Sequence, residues 1–409
     1  MIQTDLKYGT SSIPVNIPEK AVHLSHTEPP ADVSPEQFSR DLRSCLYMIR
    51  RKVRSVGIVV SDKTRLCQYP VYLPLLTEAL MEYGFSQDQI IFYIAYGTHL
   101  PQTEDESMAS YGKTFRDFRF VHHDSRDEGQ VILIGTTTRG TRITVRKDIL
   151  DHDLLITFGS VLHHYFAGFG GGRKLLFPGL AGYNSILQNH SLYLDHDRKI
   201  LRKGCEAGRL EGNPLAMDLE EISTFLPDRV EIHAILNSRK EVSEIHFGSG
   251  YEDFREVCER YDTFFRVQGD DLFDMVVASA GGYPKDINFI QTHKSIHNAA
   301  SFVKDGGTLV LLAECADGIG NQAFMDIFRS GNWKDIFDRM KINYENNAGT
   351  ALAMLDKSKR IRICFVTSLD EKSCRLMGAV KTSPEKVQEL ISGHHGEMAW
   401  IENASMLYR

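Results

Sequence analysis

Between His163 and His190 the chain concentrates residues able to do chemistry: His163-His164-Tyr165-Phe166-Ala167-Gly168-Phe169-Gly170-Gly171-Gly172-Arg173-Lys174, then Pro178-Gly179, then Asn189-His190. Glycines at 168, 170, 171 and 172 let the backbone pass close to a ligand and take positive φ. A nest of amides closed by a lysine suits an anionic nucleotide. Known phosphate loops do not fit. A P-loop needs Gly directly before its Lys and Ser or Thr after it, where this chain has Arg173 and Leu175. The dinucleotide fingerprint G-x-G-x-x-G fails because Arg173 takes its last position. A flexible glycine hinge is the plain alternative, but the flanking histidine and lysine argue for a ligand.

Three shorter clusters accompany it. Asp62-Lys63-Thr64-Arg65 combines loop amides with a guanidinium, the pairing that holds a phosphate or carboxylate; a helix N-cap with solvated charges would look the same. Gly97-Thr98-His99 offers an imidazole, whose ordinary pKa of about 6.5 suits a general base; a surface turn histidine is the bland reading. Gln291 and Lys294, three apart, share one face of a helix and can grip a carboxylate together, although an exposed helix face has the same pattern.

The surrounding periodicity places these clusters. A proline-containing lead-in precedes a helix over 35–51 and a near-continuous apolar strand over 55–61, the pattern of a parallel strand covered on both faces. A helix over 73–83, stopped by Gly84, and a strand over 90–95 complete a βαβ crossover. Residues 131–138 and 141–145 flank Arg139-Gly140 as a hairpin, and 154–158 reads as another buried strand. The stretch from about 200 to 265 reads as polar and helical. A second α/β series follows: strand 273–278, helix 288–303, a Gly306-Gly307 break, strand 308–312, helices over 322–340, strand 361–366 and helix 384–392. The implied fold is α/β, two domains with mainly parallel sheets and a boundary near 265–270. Ligands in such sheets bind beyond the carboxyl ends of strands, where the first two short clusters and the long loop fall.

Composition narrows the class. With 409 residues, 42% hydrophobic and 25% charged, the chain exceeds what one core usually serves. A formal charge of −7 gives no basic stripe for nucleic acid or an anionic membrane, and the run at Arg50, Arg51, Lys52 and Arg54 reads as a solvated helix end. Seven widely spaced cysteines without a C-x-x-C pair indicate neither a disulfide framework nor a thiolate zinc site, which fits a reducing compartment. No signal peptide and no apolar run long enough to span a membrane is evident, so a cytoplasmic location is expected.

Taken together, in this order and at these separations, the clusters resemble the nickel-dependent lactate racemase family. That family carries an Asp-x-Thr-Arg loop, a Gly-Thr-His, a His-x-Phe-Ala-Gly-Phe-x-Gly-Gly-x-Lys segment, a later His and a Gln-x-x-Lys. The likeness extends to Gly208-Arg209-Leu210-Glu211-Gly212-Asn213-Pro214. It implies a racemase or epimerase of a small 2-hydroxy acid, an isomerase working through a 2-keto acid. Its cofactor would be a nickel-pincer nucleotide, pyridinium-3,5-bisthiocarboxylic acid mononucleotide, made by dedicated cofactor-synthesis proteins. By the same resemblance Lys174 would carry the cofactor, with Asp62, Lys63, Thr64, Arg65, Gly170, Gly171 and Gly172 around it, and His190 would ligate the nickel. His99 and His164 would be the paired acid and base, His164 rather than His163 because of its ten-residue offset to Lys174. Gln291 and Lys294, with Arg65, would hold the substrate. The resemblance also implies a cofactor-binding domain over 1–267, onto which a segment of about 393–409 packs back, a domain over 268–392 that contributes substrate-binding residues, and an active site in the cleft between them.

The chemistry agrees with that assignment. The α-proton of a 2-hydroxy acid is very weakly acidic, so inversion by its removal is hard. Hydride removal gives a planar keto acid, and no side chain can store a hydride, so a cofactor must. Proton exchange from both faces then requires two histidines. This chain departs from the family at Leu66-Cys67 where proline is common, and at Leu100 where a basic residue is common. It adds Arg173 and His293 and has only Trp333 and Trp400 for the family's pocket tryptophan. Those changes extend the candidate substrates beyond lactate to a sugar acid or hydroxy diacid. Two rivals are a zinc hydrolase built on His122, His123, His163 and His164, and a non-catalytic nucleotide or hydroxy-acid binding protein. The first leaves Lys174 unexplained, and the second leaves the paired histidines unexplained.

Overall fold

A computed structural model describes residues 1–30, 33–47, 53–329, 333–345 and 347–409. The end of the helix expected over 35–51, and Arg50, Arg51 and Lys52 of the basic run, lie outside those residues. The chain forms two compact units: one of residues 28–192 and 203–264, the other of 1–27, 193–202 and 265–409. A single cut at 267 therefore corresponds to one chain crossing of several. The N-terminal lead-in is a hairpin, Ile2–Tyr8 against Ser11–Ile17, that belongs with the C-terminal residues.

The first unit is built on a six-stranded sheet in the order Val242–Gly248, Arg229–Leu236, Leu154–Ser160, Val56–Ser61, Ile90–Ala95, Arg119–His122. Every pair is parallel except the edge pair of Val242–Gly248 with Arg229–Leu236. Val56–Ser61 is buried at every position, as its unbroken apolar run requires of a central strand with both faces covered. Its helix begins at Tyr69 rather than Leu73, because Pro70 sits in the first turn, where no amide is needed. Gly84 ends that helix in the left-handed region at φ 115°, its N–H reaching the Met81 carbonyl. Strand order reverses between Val56–Ser61 and Leu154–Ser160, so the loops beyond these two strands flank the position where such sheets bind ligands.

The stretch over 200–265 departs from its helical expectation. Helices Pro214–Ser223 and Tyr251–Phe265 are present, but Arg229–Leu236 and Val242–Gly248 are strands. Arg229, Glu231 and His233 disguise the first of these. They alternate along one buried face, and Arg229 Nε donates to Glu231 at 2.6 Å, a pairing that allows charge in a sheet interior.

The second unit is an all-parallel sheet ordered Ala379–Lys381, Arg362–Val366, Val303–Leu312, Phe273–Ser279, Met398–Ile401, Val22–His23. The expected break at Gly306-Gly307 lies inside Val303–Leu312, beside a register irregularity with its neighbour. The C-terminal segment, expected to pack on the first domain, instead supplies Met398–Ile401 to this second sheet, where it pairs with Phe273–Ser279. Its only four strand residues gave periodicity nothing to register.

One buried carboxylate ties three elements of the first unit together. Asp218, with no exposed surface, accepts from Thr137 Oγ1 at 2.6 Å, Thr141 Oγ1 at 2.8 Å and Asn189 Nδ2 at 2.8 Å. Thr137 and Thr141 belong to the turn region of the Val131–Thr136 and Arg142–Arg146 hairpin, and Asn189 to helix Tyr183–Ser191, which carries His190. Asp218→Ala would strand three buried donors, so urea unfolding of the cofactor-free protein is expected to show a loss of about 3 kcal/mol. Asp218→Asn should lose less, since the amide oxygen still accepts.

Candidate active site

Three of the four clusters singled out by sequence come together in the first unit. Asp62 follows strand Val56–Ser61 and is buried, and its Oδ2 accepts from His99 Nδ1 at 2.6 Å. The same carboxylate accepts from the Thr64 hydroxyl at 2.6 Å and the Thr64 amide at 3.0 Å, while Arg65 N–H reaches the Asp62 carbonyl at 3.1 Å. Burial by itself would raise the Asp62 carboxyl. The His99 imidazole, the Arg65 guanidinium and the Thr64 hydroxyl outweigh it and hold the group at about 2. With Nδ1–H committed to a fixed anion, Nε2 is the His99 nitrogen left to exchange a proton. Lys63 turns elsewhere, its amine pairing with Glu106 and its amide donating to Gln102.

The His99 loop is stitched to the lysine segment through backbone. Gly97 N–H donates to the Gly179 carbonyl, and Gly179 N–H donates to the Lys174 carbonyl. Lys174 follows Gly171 (φ 83°) and Gly172 (φ 50°). A Cβ on Gly171 would sit 2.4 Å from the Ser160 carbonyl oxygen, and one on Gly172 would sit 2.5 Å from the Phe254 ring. Their lack of side chains is therefore used against the protein's own backbone and core, which a flexible hinge would not require.

Phe166 is the residue that sequence reasoning passed over. Its buried ring meets the His164 ring at 4.6 Å and the His190 ring at 5.2 Å, both edge-on, and the Lys174 amine lies 5.9 Å from its centroid. Lys174, His190 and His164 thus surround one aromatic ring. The Phe166 carbonyl accepts from buried Asn213 Nδ2 at 3.0 Å, which explains the Gly208–Pro214 segment's place in the pattern. Phe166 stands in the His-x-Phe motif, and that position was the available signal.

The electrostatics follow from this enclosure. Burial first, then the Arg65 and Arg173 cations, push the Lys174 amine well below its usual range, toward the neutral nucleophilic form. Burial and the Lys174 amine push His190 down to about 3, so it stays a neutral imidazole, the form that ligates metal. The donor set therefore fits a covalently held group with a metal beside it: an acylatable amine and a neutral imidazole in one desolvated space.

His163 and His164 are separated by function of place. His163 Nε2–H donates to Asp262 at 2.5 Å and is nearly buried, whereas His164 faces Tyr165 and Phe166. The zinc-hydrolase set is not assembled. His122 contacts the Tyr96 hydroxyl, His123 the Ala181 carbonyl and His163 Asp262, and among the described residues no three His, Cys, Asp or Glu side chains gather to hold a metal. In the second unit, Gln291 and Lys294 share a face of helix Phe289–Ala300, the Lys294 amine donating to Gln291 Oε1 at 2.9 Å. Asn288 caps that helix by accepting from the Gln291 amide. Trp333 packs on Phe337 and donates to the Lys199 carbonyl, all within the second unit.

Comparison with known proteins gives one consistent family. The lactate racemase N-terminal domain family matches residues 8–201, and the lactate racemase C-terminal domain family matches 270–356. A lactate racemase of Thermoanaerobacterium thermosaccharolyticum is 31% identical over 289 residues, 70% of this chain and 66% of that protein. One of Lactiplantibacillus plantarum is 29% identical over 280 residues, 68% of this chain and 64% of that protein. The chain thus spans just under two thirds of the length of these curated relatives. Among solved structures, the lactate racemase apoprotein of Thermoanaerobacterium thermosaccharolyticum superposes with a TM-score of 0.87 at 24% identity, covering 99% of each chain. A Thermotoga maritima protein gives 0.68 at 16% identity, covering 93% of this chain and 99% of that one. These two likenesses establish the two-domain α/β fold.

The two shifted groups both cost stability as pH falls, but over different ranges. Asp62 lies at about 2 when folded against about 3.9 unfolded, so its stabilisation is complete above pH 4 and is lost as pH falls toward 2. His190 lies at about 3 when folded against about 6.5 unfolded; below pH 6.5 the unfolded chain gains a proton that the folded chain does not, and stability falls down to pH 3. The urea midpoint of cofactor-free protein should be lower at pH 5 than at pH 7.5. His190→Gln should shrink that difference, and Asp62→Asn should leave it unchanged.

Proposed function

Since this chain belongs to the lactate racemase family, we propose that it racemises or epimerises a small 2-hydroxy acid at the site built around Lys174, His99 and His164. The single observation that carries this reading is the gathering of His164, Lys174 and His190 around the Phe166 ring. The resident group would be a nickel-pincer nucleotide, which Lys174 would hold covalently through its amine and His190 would ligate at the nickel. When bound it supplies the reversible two-electron hydride storage that side chains lack.

The chain's own residues do the rest. One imidazole takes the hydroxyl proton as the substrate becomes a planar 2-keto acid, and the other returns a proton on the opposite face. His99, with Asp62 holding Nδ1–H, presents Nε2 for this exchange, and His164 is its counterpart. Arg65 in the first unit, and Gln291 with Lys294 in the second, each offer a grip for a substrate carboxylate, and such a grip fixes which atoms can react. Asp62 and Thr64 brace Arg65, and the tight backbone turn at Gly170, Gly171 and Gly172 lines the nucleotide site. The acid is lactate or a larger one, a sugar acid or a hydroxy diacid; Arg173 and His293 are themselves buried, the first against Tyr251 and Phe254 and the second bonded to the Ile290 carbonyl. The partners of this activity are the acid itself and the proteins that build the cofactor. Seven free cysteines fit a reducing, cytoplasmic setting, and among the described residues no helix is long and apolar enough to cross a membrane.

Protein made in a host that builds the cofactor should carry a mass adduct and about one nickel per chain, and Lys174→Ala should lose both. His99→Gln and His164→Gln should each keep the adduct but slow racemisation of single-enantiomer acids by about 10²–10⁴-fold. With solvent deuterium the α-hydrogen should remain unexchanged. Turnover by protein unmodified at Lys174, or deuterium washing into the α-position, would rule the proposal out.

A further inference from the structure

His164 sits on a hairpin too small to hold itself in place. Strands Leu162–His164 and Gly168–Gly170 pair over only three residues, and a two-stranded ribbon of that size is unstable alone. Other elements must fix it: the Gly208 amide holds the Gly168 carbonyl on one strand, and helix Tyr251–Phe265 holds His163 on the other. The carboxylate of Asp262 accepts from His163 Nε2–H at 2.5 Å, the Tyr261 hydroxyl hydrogen-bonds to the His163 backbone, and the Tyr261 ring meets the His163 ring edge-on at 4.9 Å. The His163 side chain is 8% exposed, so this hydrogen bond is made in a poorly solvated place where it is directional and strong. The helix in turn is anchored by Phe254, Val257, Cys258 and Phe265, all buried.

Strand geometry passes this anchor to the neighbouring residue. Successive side chains point to opposite faces, so fixing His163 toward the helix fixes His164 toward Phe166. There the His164 ring lies edge-on to Phe166 and stacks on Tyr165 at 5.4 Å with an interplanar angle of 11°, and its Nδ1 accepts from the Ala167 amide at 3.3 Å. That last bond holds the ring from its Nδ1 side.

We propose that His163 is a positioning residue whose Asp262 and Tyr261 contacts set the aim of His164. The proposal rests on the racemase reading above and adds to it a role for the helix Tyr251–Phe265, which the sequence motifs do not include. It also explains why two adjacent histidines are present: one is the anchor and its neighbour is the working group.

Asp262→Ala and Tyr261→Phe test it, with Asp262→Asn as the conservative variant that keeps an acceptor for His163. In cofactor-loaded enzyme, Asp262→Ala is expected to lower kcat about 10- to 100-fold, the cost of a misaimed proton-transfer group, with KM and the Lys174 adduct unchanged. Asp262→Asn should restore most of the rate. In cofactor-free protein, amide hydrogen exchange over 162–170 should speed up in Asp262→Ala while exchange in the central strands stays as in wild type. Unchanged exchange and kcat would overturn the proposal. So would a parallel loss of kcat, substrate affinity, adduct and melting temperature, which is the signature of general unfolding. A wild-type enzyme that carries no adduct would count against the racemase reading alone, since the exchange measurement needs no cofactor.

Discussion

An amine and an imidazole share a desolvated space beside one aromatic ring, and the rest of the first unit is organised to make that tolerable. Burial and the cations around them push both bases toward their neutral forms. Neutral is the state their proposed roles need, the amine to form a covalent bond and the imidazole to offer a lone pair to a metal. The same desolvation that destabilises the folded chain in acid therefore supplies the reactivity. Function here is purchased with stability, as is usual where polar groups are buried without water.

Carboxylates then decide where each reactive segment points. Asp62 fixes the His99 ring, Asp218 fixes the helix end bearing His190 through Asn189, and Asp262 fixes His163 beside His164. Each comes from a different element, and each accepts from groups that would otherwise be unsatisfied. The loops themselves have little regular structure, so a few short charge-assisted bonds do what a helix or sheet ladder does elsewhere. Backbone contacts close the arrangement: Gly97 to Gly179, Gly179 to Lys174 and Asn213 to Phe166.

How legible this was depends on which physical signal each part carried. Central strands such as Val56–Ser61 and Ile90–Ala95 announce themselves as unbroken apolar runs because both faces are covered. Arg229–Leu236 does not, because its charged residues are neutralised by partners that periodicity cannot see. Met398–Ile401 is too short for any pattern, and only its neighbours across the sheet define it. Among site residues, the motifs brought out Asp62, His99, His164, Lys174 and His190, whereas Phe166 and Asp262 lacked a chemical signature of their own.

Residue types and their order determined the kind of chemistry: a lysine behind glycines, spaced histidines and an acidic loop before an arginine admit few reactions. Fold class followed too, since strand–helix alternation with continuous apolar strands leaves few architectures. Three-dimensional packing alone decided which of two adjacent histidines is held by a carboxylate and which faces the ring. It also decided that both chain ends belong to the second unit, and that Gly171 and Gly172 are glycines because Ser160 and Phe254 occupy the space. The physical reason is common to all of these. Periodicity and propensity act between near neighbours in the chain, whereas desolvation, ion pairing and close packing act between residues that only the fold brings together.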